Sequence, residues 1–219
     1  MRNFSDTRIE DFLTYKLANY ITISGIAVTT IGILLNIFCY ITSSHFKFQN
    51  SSITLIRCQA VWDTLTIFHI GYIELGGSYF KFVIQDINVY FCKISYFHGW
   101  GCSVATSLHM MCLAIDRVIA IHYPVWYKQN SAPSLAYRTS FCIIAFCYTV
   151  TLPNLLKFDI VDSKCTFVAS PLFAFWYTVF VALFLYCVVP FFVIFFCNLY
   201  FIYVLSNRKK KIAAQQNAA

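Results

Sequence analysis

Five long apolar runs alternate with shorter polar segments along the chain, and each run can form a helix that crosses a membrane. Such a helix needs about 20 residues, because each residue advances it about 1.5 Å through a hydrocarbon layer about 30 Å thick. The pattern therefore predicts an all-α integral membrane protein, a helical bundle of five transmembrane spans. The predicted spans are residues 18–42, 53–77, 92–121, 137–156 and 173–205.

The two ends of the chain are polar and flank this five-span domain, residues 18–205. Residues 1–17 are predicted to form an extracellular amino terminus, with a glycosylation sequon at Asn3. Residues 206–219 are predicted to form a basic cytoplasmic tail, because the positive-inside rule places its cations in the cytoplasm. We therefore expect a multi-pass protein of the plasma membrane with its amino terminus outside.

Composition excludes a soluble domain and indicates the partner of the basic cluster in the tail. The 219 residues are 59% hydrophobic and 11% charged, whereas a soluble domain carries about 25% charged residues. The net charge of +7 includes four consecutive cations, residues 208–211, directly after the last apolar run. A cluster in this position is interpreted as a patch that meets anionic membrane lipid, and no nucleic-acid partner is expected.

Motifs for enzymatic or metal chemistry are missing from the sequence. It contains no HExxH, no paired CxxC, no Gly-x-Ser-x-Gly and no phosphate-binding loop. His98 and His109 share a predicted helix but lie about 16 Å apart along it, so each is interpreted as a packed or hydrogen-bonding residue. We expect neither an enzyme nor a metal centre.

Two carboxylates lie inside the second predicted span, where an ionisable group costs about 2.5–3.5 kcal/mol at the membrane centre. Asp63 lies near the middle of the span and Glu74 nearer its end, while Asn36 lies deep in the first span. Asp63 and Glu74 are eleven residues apart, about three helical turns, so they are expected to share one face of the helix. The functional interpretation is a cation site at Asp63 and a ligand contact at Glu74. The alternative is that each carboxyl is protonated and bonds to a neighbouring helix.

Cysteine positions supply a second argument about orientation. Eight of the ten cysteines lie in the interior of apolar spans; the exceptions are Cys92, at the start of the third span, and Cys165, in the loop before the fifth. The order of the spans places both on the side of the amino terminus. If that side is extracellular, a disulfide between them is favoured, and the alternative is two unrelated free thiols.

The segment at residues 114–124, AIDRVIAIHYP, resembles the Asp-Arg-Tyr segment that ends the third helix of rhodopsin-like G-protein-coupled receptors. The spacing from Cys92 to Arg117 is also typical of that family. The resemblance extends over essentially the whole chain. Further matches are Asn36 in the first helix, Asp63 and Thr106 at a sodium site, Cys165 in the second extracellular loop and Pro190 in the fifth helix.

The resemblance implies a receptor that carries a signal from an extracellular ligand to a heterotrimeric G protein. It assigns G-protein coupling and switching to Asp116, Arg117 and Val118, although tyrosine is usual at the third position. Arg117 is expected to bond the carboxylate of its neighbour Asp116. A sodium ion is the implied cofactor, at a polar core of Asn36, Asp63 and Thr106, and Pro190 is the implied helix kink.

The ligand is expected to be a peptide rather than an amine. Gly99 occupies the third-helix position at which aminergic receptors place their amine-binding aspartate. Glu74 is a possible partner for a basic group of a peptide. The possible ligand contacts are Glu74, His98, Gly99 and Ser103.

The length of the chain predicts an incomplete receptor, because residues 206–219 fall where the family's third cytoplasmic loop begins. We expect a portion of a receptor, truncated after the fifth transmembrane helix, that does not signal alone. One alternative is a five-span membrane protein that interacts with full-length receptors and modulates them. A transporter is a third possibility.

Overall fold

The computed structural model describes the backbone of residues 4–47, 49–80 and 82–217, and the side chains between residues 16 and 210 apart from 48, 78 and 81. Almost all of this part of the chain is helical; the predicted span 137–156 contains a turn at residues 152–153, between α6 and α7, and the other four are helical throughout. The elements in chain order are α1 (Phe4–Ser44), α2 (Ser51–Phe68), the π-helix π1 (His69–Gly76), α3 (Gly77–Phe80), a 3₁₀ turn (Ile84–Asp86), α4 (Val89–His122), α5 (Pro124–Asn130), α6 (Pro133–Thr151), α7 (Asn154–Lys157), β1 (Phe158–Val161), β2 (Lys164–Phe167), α8 (Pro171–Thr178), the π-helix π2 (Val179–Val188) and α9 (Val189–Asn217).

Local sequence explains where several helices begin. The Asn50 side chain caps α2 by accepting a hydrogen bond from the Ile53 N–H at 3.0 Å. Asn88 caps α4 in the same way, since its side chain accepts from two backbone N–H groups of the first turn. Asparagine is favoured at these positions because its oxygen satisfies donors that have no partner within the helix. Proline begins α5, α6 and α8, where its missing N–H is not needed.

Two of the helical rods contain wide π turns that the sequence pattern does not reveal. The helix formed by α2 continues through π1, and α8 continues through π2 into α9. Pro190 lies just after π2, at the point where the α-helix resumes. Because a π turn holds more residues than an α turn, side chains after it change direction. The predicted common face of Asp63 and Glu74 assumed a regular α-helix, and that assumption is wrong from His69 onward.

The described helices have the length and surface of a membrane bundle. Four of them are long and apolar enough to cross a membrane: Lys16–Ser44, Val89–His122, Pro133–Lys157 and Pro171–Lys210. Their large apolar side chains mostly face outward; Leu34, for example, is 62% exposed. Apolar side chains on all sides of a helix are typical of contact with lipid. The rod formed by α2 and π1 carries three charged residues and is not among the four, so its membrane crossing stays a prediction.

Helix α4 runs through the middle of the bundle and supplies half of the buried core cluster. Its residues Val104, Ala105 and Leu108 pack against Ile143 and Cys147 of α6, with Val181 of π2 completing the cluster. Small residues let neighbouring helices approach α4 closely. A Cβ atom at Gly99 would overlap the imidazole of His69 from π1.

A two-stranded hairpin, which the sequence analysis did not predict, follows α7. Strands β1 and β2 pair antiparallel, with Phe158 opposite Phe167 and Val161 opposite Lys164. The turn residues Asp162 and Ser163 both have positive φ, 50° and 60°. Two consecutive residues in the left-handed region are typical of a tight hairpin turn, which usually contains glycine or asparagine. The hairpin covers the end of the bundle at which α4 begins.

Candidate functional site

A disulfide attaches the hairpin to the first turn of α4. Cys92 and Cys165 are joined, with their Cα atoms 5.5 Å apart, so the predicted pairing is present. The Cys165 N–H also donates a hydrogen bond to Asp86 Oδ1 at 2.7 Å. Strand β2 is thereby held to both α4 and the 3₁₀ turn. We name this end of the bundle the disulfide end, and the end that carries Arg117 the arginine end.

Strand β1 is attached to α4 by an aromatic stack and an ion pair. The rings of Phe158 and Tyr96 are nearly parallel, 2° apart, with their centroids separated by 3.7 Å. Lys93 Nζ lies 3.3 Å from Asp159 Oδ2. The pKa of Asp159 is lowered, first by a hydrogen bond from the Ile160 backbone N–H and then by Lys93. Both contacts hold the hairpin against the side of α4 that carries Tyr96.

Lys157 supports the hairpin from the opposite side. Its side chain is buried, and its ammonium lies 4.1 Å from the ring centre of Tyr177 and 5.4 Å from that of Phe167. The Lys157 carbonyl accepts a hydrogen bond from the Val168 N–H at 2.8 Å. A cation over aromatic faces is attracted by their negative electrostatic potential. Lys157 therefore ties β2 to α8.

A cavity of about 390 Å³, here named the deep cavity, opens between π1, α4 and π2 near the disulfide end. Three of the four predicted ligand contacts, Glu74, Gly99 and Ser103, line it, and their role in binding stays a prediction. Helix α4 contributes side chains from successive turns, and the π turns bring those of π1 and π2 to the same space. The other lining residues are His69, Ile70, Tyr96, Trp100, Ala182 and Tyr186.

His69 is a residue of this cavity that the sequence analysis missed. Its imidazole is buried against Gly99, which has no side chain to obstruct it. Nε2 lies 3.1 Å from Ser95 Oγ, and Nδ1 lies 3.6 Å from Glu74 Oε1. His69 thus connects α4 to the carboxylate on π1. The sequence signal that could have identified it is its position between two carboxylates, Asp63 and Glu74, in one apolar run.

His98, the fourth predicted ligand contact, faces α6 instead of the deep cavity. Its Nδ1 lies 2.7 Å from the Tyr148 hydroxyl, and its Nε2 lies 3.4 Å from Cys102 Sγ. Neighbouring residues on an α-helix point in different directions, so a cavity that receives Gly99 does not receive His98. His98 therefore does not line the deep cavity, and its contact with a ligand stays a prediction. His109, likewise, bonds Ser140 at 2.7 Å.

A second cavity of about 430 Å³, the rim cavity, lies beneath the hairpin. It shares Glu74 and Tyr96 with the deep cavity, so the two spaces meet at this pair. Its lining includes two carboxylates, Glu74 and Asp86, and one cation, Lys164. Its remaining lining residues are Val83, Gln85, Cys165 and Thr166.

The predicted polar core is spread over several contacts. Asp63 Oδ1 accepts a hydrogen bond from Gln59 Nε2 at 2.6 Å. The hydroxyls of Thr66 and Thr106 lie 3.2 Å apart and join α2 to α4. Asn36 lines a separate apolar groove between α1 and α2. The structure therefore links Asp63 to Gln59, which the sequence analysis did not single out.

At the arginine end, Asp116 bonds to hydroxyl groups instead of to Arg117. Its carboxylate accepts hydrogen bonds from Ser51 at 3.0 Å, from Ser52, and from Tyr127 at 2.8 Å. Among the residues that the structure describes, no ion pair joins Asp116 to Arg117, whose side chain is exposed. The expected pairing fails because adjacent side chains diverge on a helix.

The hydroxyl network links three elements at the arginine end. Tyr127 on α5 reaches both Asp116 on α4 and Ser52 on α2, the latter at 2.9 Å. Burial raises the pKa of Tyr127, and the adjacent Asp116 carboxylate raises it further. Val118 follows Arg117 as a half-buried residue of the same helix.

A separate pair of bonds joins α4 to α9 at this end. His122 Nδ1 lies 2.6 Å from the Tyr200 hydroxyl, and Arg208 donates to the Ile121 carbonyl at 2.8 Å. Arg208 belongs to the predicted lipid-binding cluster. The predicted glycosylation site, Asn3, lies outside the described residues.

Comparison with known families agrees with this architecture. The profile of the family described as 7 transmembrane receptor (rhodopsin family) matches residues 60–219, which is more than half of the chain. Comparison of the sequence with curated proteins found no significant match. Receptors of this kind are multi-pass proteins of the plasma membrane that take extracellular ligands and G proteins as partners. With its helical membrane bundle, its disulfide and this match, the chain belongs to the rhodopsin family of seven-transmembrane receptors.

Proposed function

We propose that the chain contributes a binding site for a basic group of an extracellular peptide, in the deep cavity, and a contact surface for a heterotrimeric G protein, at the arginine end. The observation that carries this proposal is the position of Glu74. Its carboxylate lines both cavities at the disulfide end, beside the aromatic rings of Tyr96, Trp100 and Tyr186.

The chemistry of the deep cavity favours a cationic group. A carboxylate accepts charge-assisted hydrogen bonds from guanidinium or ammonium groups. Aromatic faces attract the same cations. Gly99 leaves the α4 wall without a carboxylate, so Glu74 is the acidic group among the described lining residues of the deep cavity. An arginine or lysine side chain of a peptide would be held between Glu74 and the rings.

Two observations support an extracellular disulfide end. Disulfides form and persist in oxidising compartments, and Cys92–Cys165 lies at this end. The cations Arg208, Lys209 and Lys210 are exposed near the opposite end of the bundle. Basic residues next to a span favour the cytoplasm. With this orientation, the amino terminus lies outside.

The arginine end supplies the surface proposed for the G protein. Arg117 is exposed, because Asp116 is already engaged by hydroxyl groups of α2 and α5. A guanidinium that is not tied to its neighbour can meet an acceptor on a partner protein. In this proposal the Asp116 network sets the position of α5, and Arg117 with Val118 makes the contact.

A sodium ion at Asp63 is a further part of the proposal. Hard cations prefer oxygen ligands, and the Asp63 carboxylate, the Thr106 hydroxyl and the Gln59 carboxamide offer them. Gln59 Oε1 is buried and has no hydrogen-bond partner within the described residues. A half-turn of this carboxamide would bring that oxygen to the ion, so these residues fit a small cation.

The ligand part of the proposal can be tested with the chain in lipid nanodiscs. Paired amidated peptides would be compared that differ only in one arginine, replaced by the neutral analogue citrulline. The wild type should prefer the arginine form about 10- to 100-fold, because hydrogen bonds to charged groups are worth about 1.5–3 kcal/mol. Glu74→Gln should abolish the preference, while the exposed control Asp162→Asn should retain it. Equal binding of both peptide forms by the wild type would overturn the assignment of Glu74.

Coupling calls for a separate measurement. Guanine-nucleotide exchange would be followed on purified heterotrimers of the four Gα classes, with and without the chain. Stimulated exchange that Arg117→Ala removes and Arg138→Ala retains would support coupling through the arginine end. Exchange that is unaffected by the wild-type chain on all four classes would count against coupling by this polypeptide, whatever it binds at the disulfide end.

A further inference from the structure

The rim cavity contains a buried acceptor that no partner satisfies. Gln85, in the 3₁₀ turn Ile84–Asp86, lines this cavity and is only 4% exposed. Its Oε1 is shielded from solvent and has no hydrogen-bond partner among the described residues. A buried carbonyl oxygen without a donor destabilises the folded protein. The receptor retains this polar side chain in a position where an apolar one would pack without penalty.

The surroundings of Gln85 distinguish it from other buried polar groups. Asn154 is also buried without partners, but it lines neither the deep cavity nor the rim cavity. Gln85 stands next to Asp86, whose Oδ1 accepts the Cys165 N–H and so faces the same space. Gln85, with its orphaned oxygen just behind the surface, therefore belongs to the wall of a cavity that a ligand can enter.

The carboxamide of Gln85 can be presented to a ligand by a small movement. The terminal torsion of a glutamine is broad and roughly two-fold, so turning it meets little resistance. No hydrogen bond to Oε1 has to be broken within the part of the chain that the structure describes. An N–H group that enters the rim cavity would give this oxygen the donor that it lacks.

The charges around the cavity decide which donor is preferred. The lining contains one cation, Lys164, and two carboxylates, Asp86 and Glu74, the latter shared with the deep cavity. The excess is negative, so a cationic donor is favoured over a neutral one. Guanidinium also suits the site by geometry, because it presents several N–H groups in one plane to neighbouring acceptors.

We propose that the rim cavity is a second ligand subsite, in which Gln85 Oε1 and Asp86 receive a cationic N–H donor, a guanidinium or an ammonium, of the ligand. This inference rests on the proposed function, since it extends the binding of a basic peptide from the deep cavity outward. The ligand spans both cavities past Glu74 and Tyr96. It carries one basic group at the deep cavity and a second at the rim.

Stability gives a test of this subsite that needs no ligand. Gln85→Leu removes the unsatisfied oxygen, so it should raise the melting temperature of the ligand-free protein by about 2–4 °C. A residue whose polar group serves the fold would behave in the opposite way. The matched control is Gln129→Leu on the exposed part of α5, which should leave the melting temperature unchanged. A lower melting temperature for Gln85→Leu would overturn the proposal.

Binding gives the second test, with arginine amide as the probe and saturation-transfer NMR as the readout on the chain in nanodiscs. Gln85→Leu should weaken binding of the probe about 10- to 100-fold, the effect of losing one hydrogen bond to a charged donor. Gln85→Glu keeps an acceptor and adds negative charge, so it should bind at least as tightly as the wild type. Gln129→Leu should leave the affinity for the probe unchanged, and citrulline amide should bind less tightly than arginine amide.

The outcomes separate this inference from the proposed function. If Glu74→Gln weakens the probe and Gln85→Leu does not, the deep cavity alone binds, and the second subsite is overturned while the proposed function stands. If neither substitution weakens the probe, it binds elsewhere, and both proposals fail. Weakening by Gln85→Leu together with a raised melting temperature supports the subsite.

Discussion

Replacing Gly99 with alanine should damage the deep cavity through a collision with one side chain. A Cβ atom at this position would overlap three atoms of the His69 ring. His69 is only 3% exposed, and the free space beside it is the deep cavity that it lines. Its displacement would also disturb the contact with Ser95 and the position of Glu74, 3.6 Å away.

The size of the effect follows from three contributions. Inserting a methyl group into a packed interior costs about 1–3 kcal/mol. Loss of the bond between His69 and Ser95 adds about 1 kcal/mol, and the higher helix propensity of alanine returns about 1 kcal/mol. Gly99→Ala should therefore destabilise the protein by about 1–3 kcal/mol. At about 2–4 °C per kcal/mol, the melting temperature should fall by about 2–12 °C.

Thermal unfolding in nanodiscs would measure this effect against two comparisons. At Gly101 an added Cβ would stand 3.0 Å from the Tyr148 ring, so Gly101→Ala should stay within about 1 kcal/mol of the wild type. In a His69→Ala background the obstacle is absent, and Gly99→Ala should become neutral or stabilising. Equal destabilisation by Gly99→Ala with and without His69 would refute the close approach of these two residues.

Three further predictions concern the attachment of the hairpin and the polar core. The double substitution Cys92→Ser, Cys165→Ser opens a loop of 73 residues and should lower the free energy of unfolding by about 4 kcal/mol. Peptide mapping of the non-reduced wild type should find the two cysteines joined, and free thiols at both would contradict this. Asp63→Asn should remove any rise in melting temperature that sodium chloride gives over potassium chloride, and an undiminished sodium effect would exclude Asp63 as the site. The pKa of Asp159 is lowered in the folded protein. The stability that ionised Asp159 contributes is therefore present above its unfolded pKa of about 3.9 and is lost as the pH falls through its folded pKa. As the pH is lowered from about 5, amide hydrogen exchange in β1 should accordingly become faster relative to intrinsic exchange rates. Lys93→Met should reduce this response to acid.

The sequence was sufficient to predict the helical spans because hydrophobicity over about 20 residues is a property of composition. The same property does not record how many residues each turn contains, so π1 and π2 were not predicted. The hairpin was missed for a related reason. Its turn consists of Asp162 and Ser163 at positive φ, without the glycine that usually marks such a turn.

The candidate site was predictable where one residue carries the chemistry, and less so where the direction of a side chain matters. Glu74 stands out in sequence because a carboxylate in an apolar run is energetically costly and so indicates a function. The structure places it in the lining of both cavities. His98 was assigned to the ligand although its ring turns toward Tyr148. Asp116 was paired with its neighbour, whereas its partners come from segments more than ten residues away. Such contacts depend on packing between elements, which spacing along one helix does not determine.

The hairpin is fixed to α4 at two levels, by the disulfide at Cys92 and by the ring stack at Tyr96. These two residues are four positions apart and therefore lie on the same side of the helix, one turn from each other. Two attachments along one line restrain the tilt of the hairpin as well as its position. The wall of the rim cavity is thus preorganised, and binding does not include the entropic penalty of ordering a loop. A ligand of the wrong shape cannot be accommodated by rearranging this wall, so the rim cavity selects ligands by their fit before any helix moves.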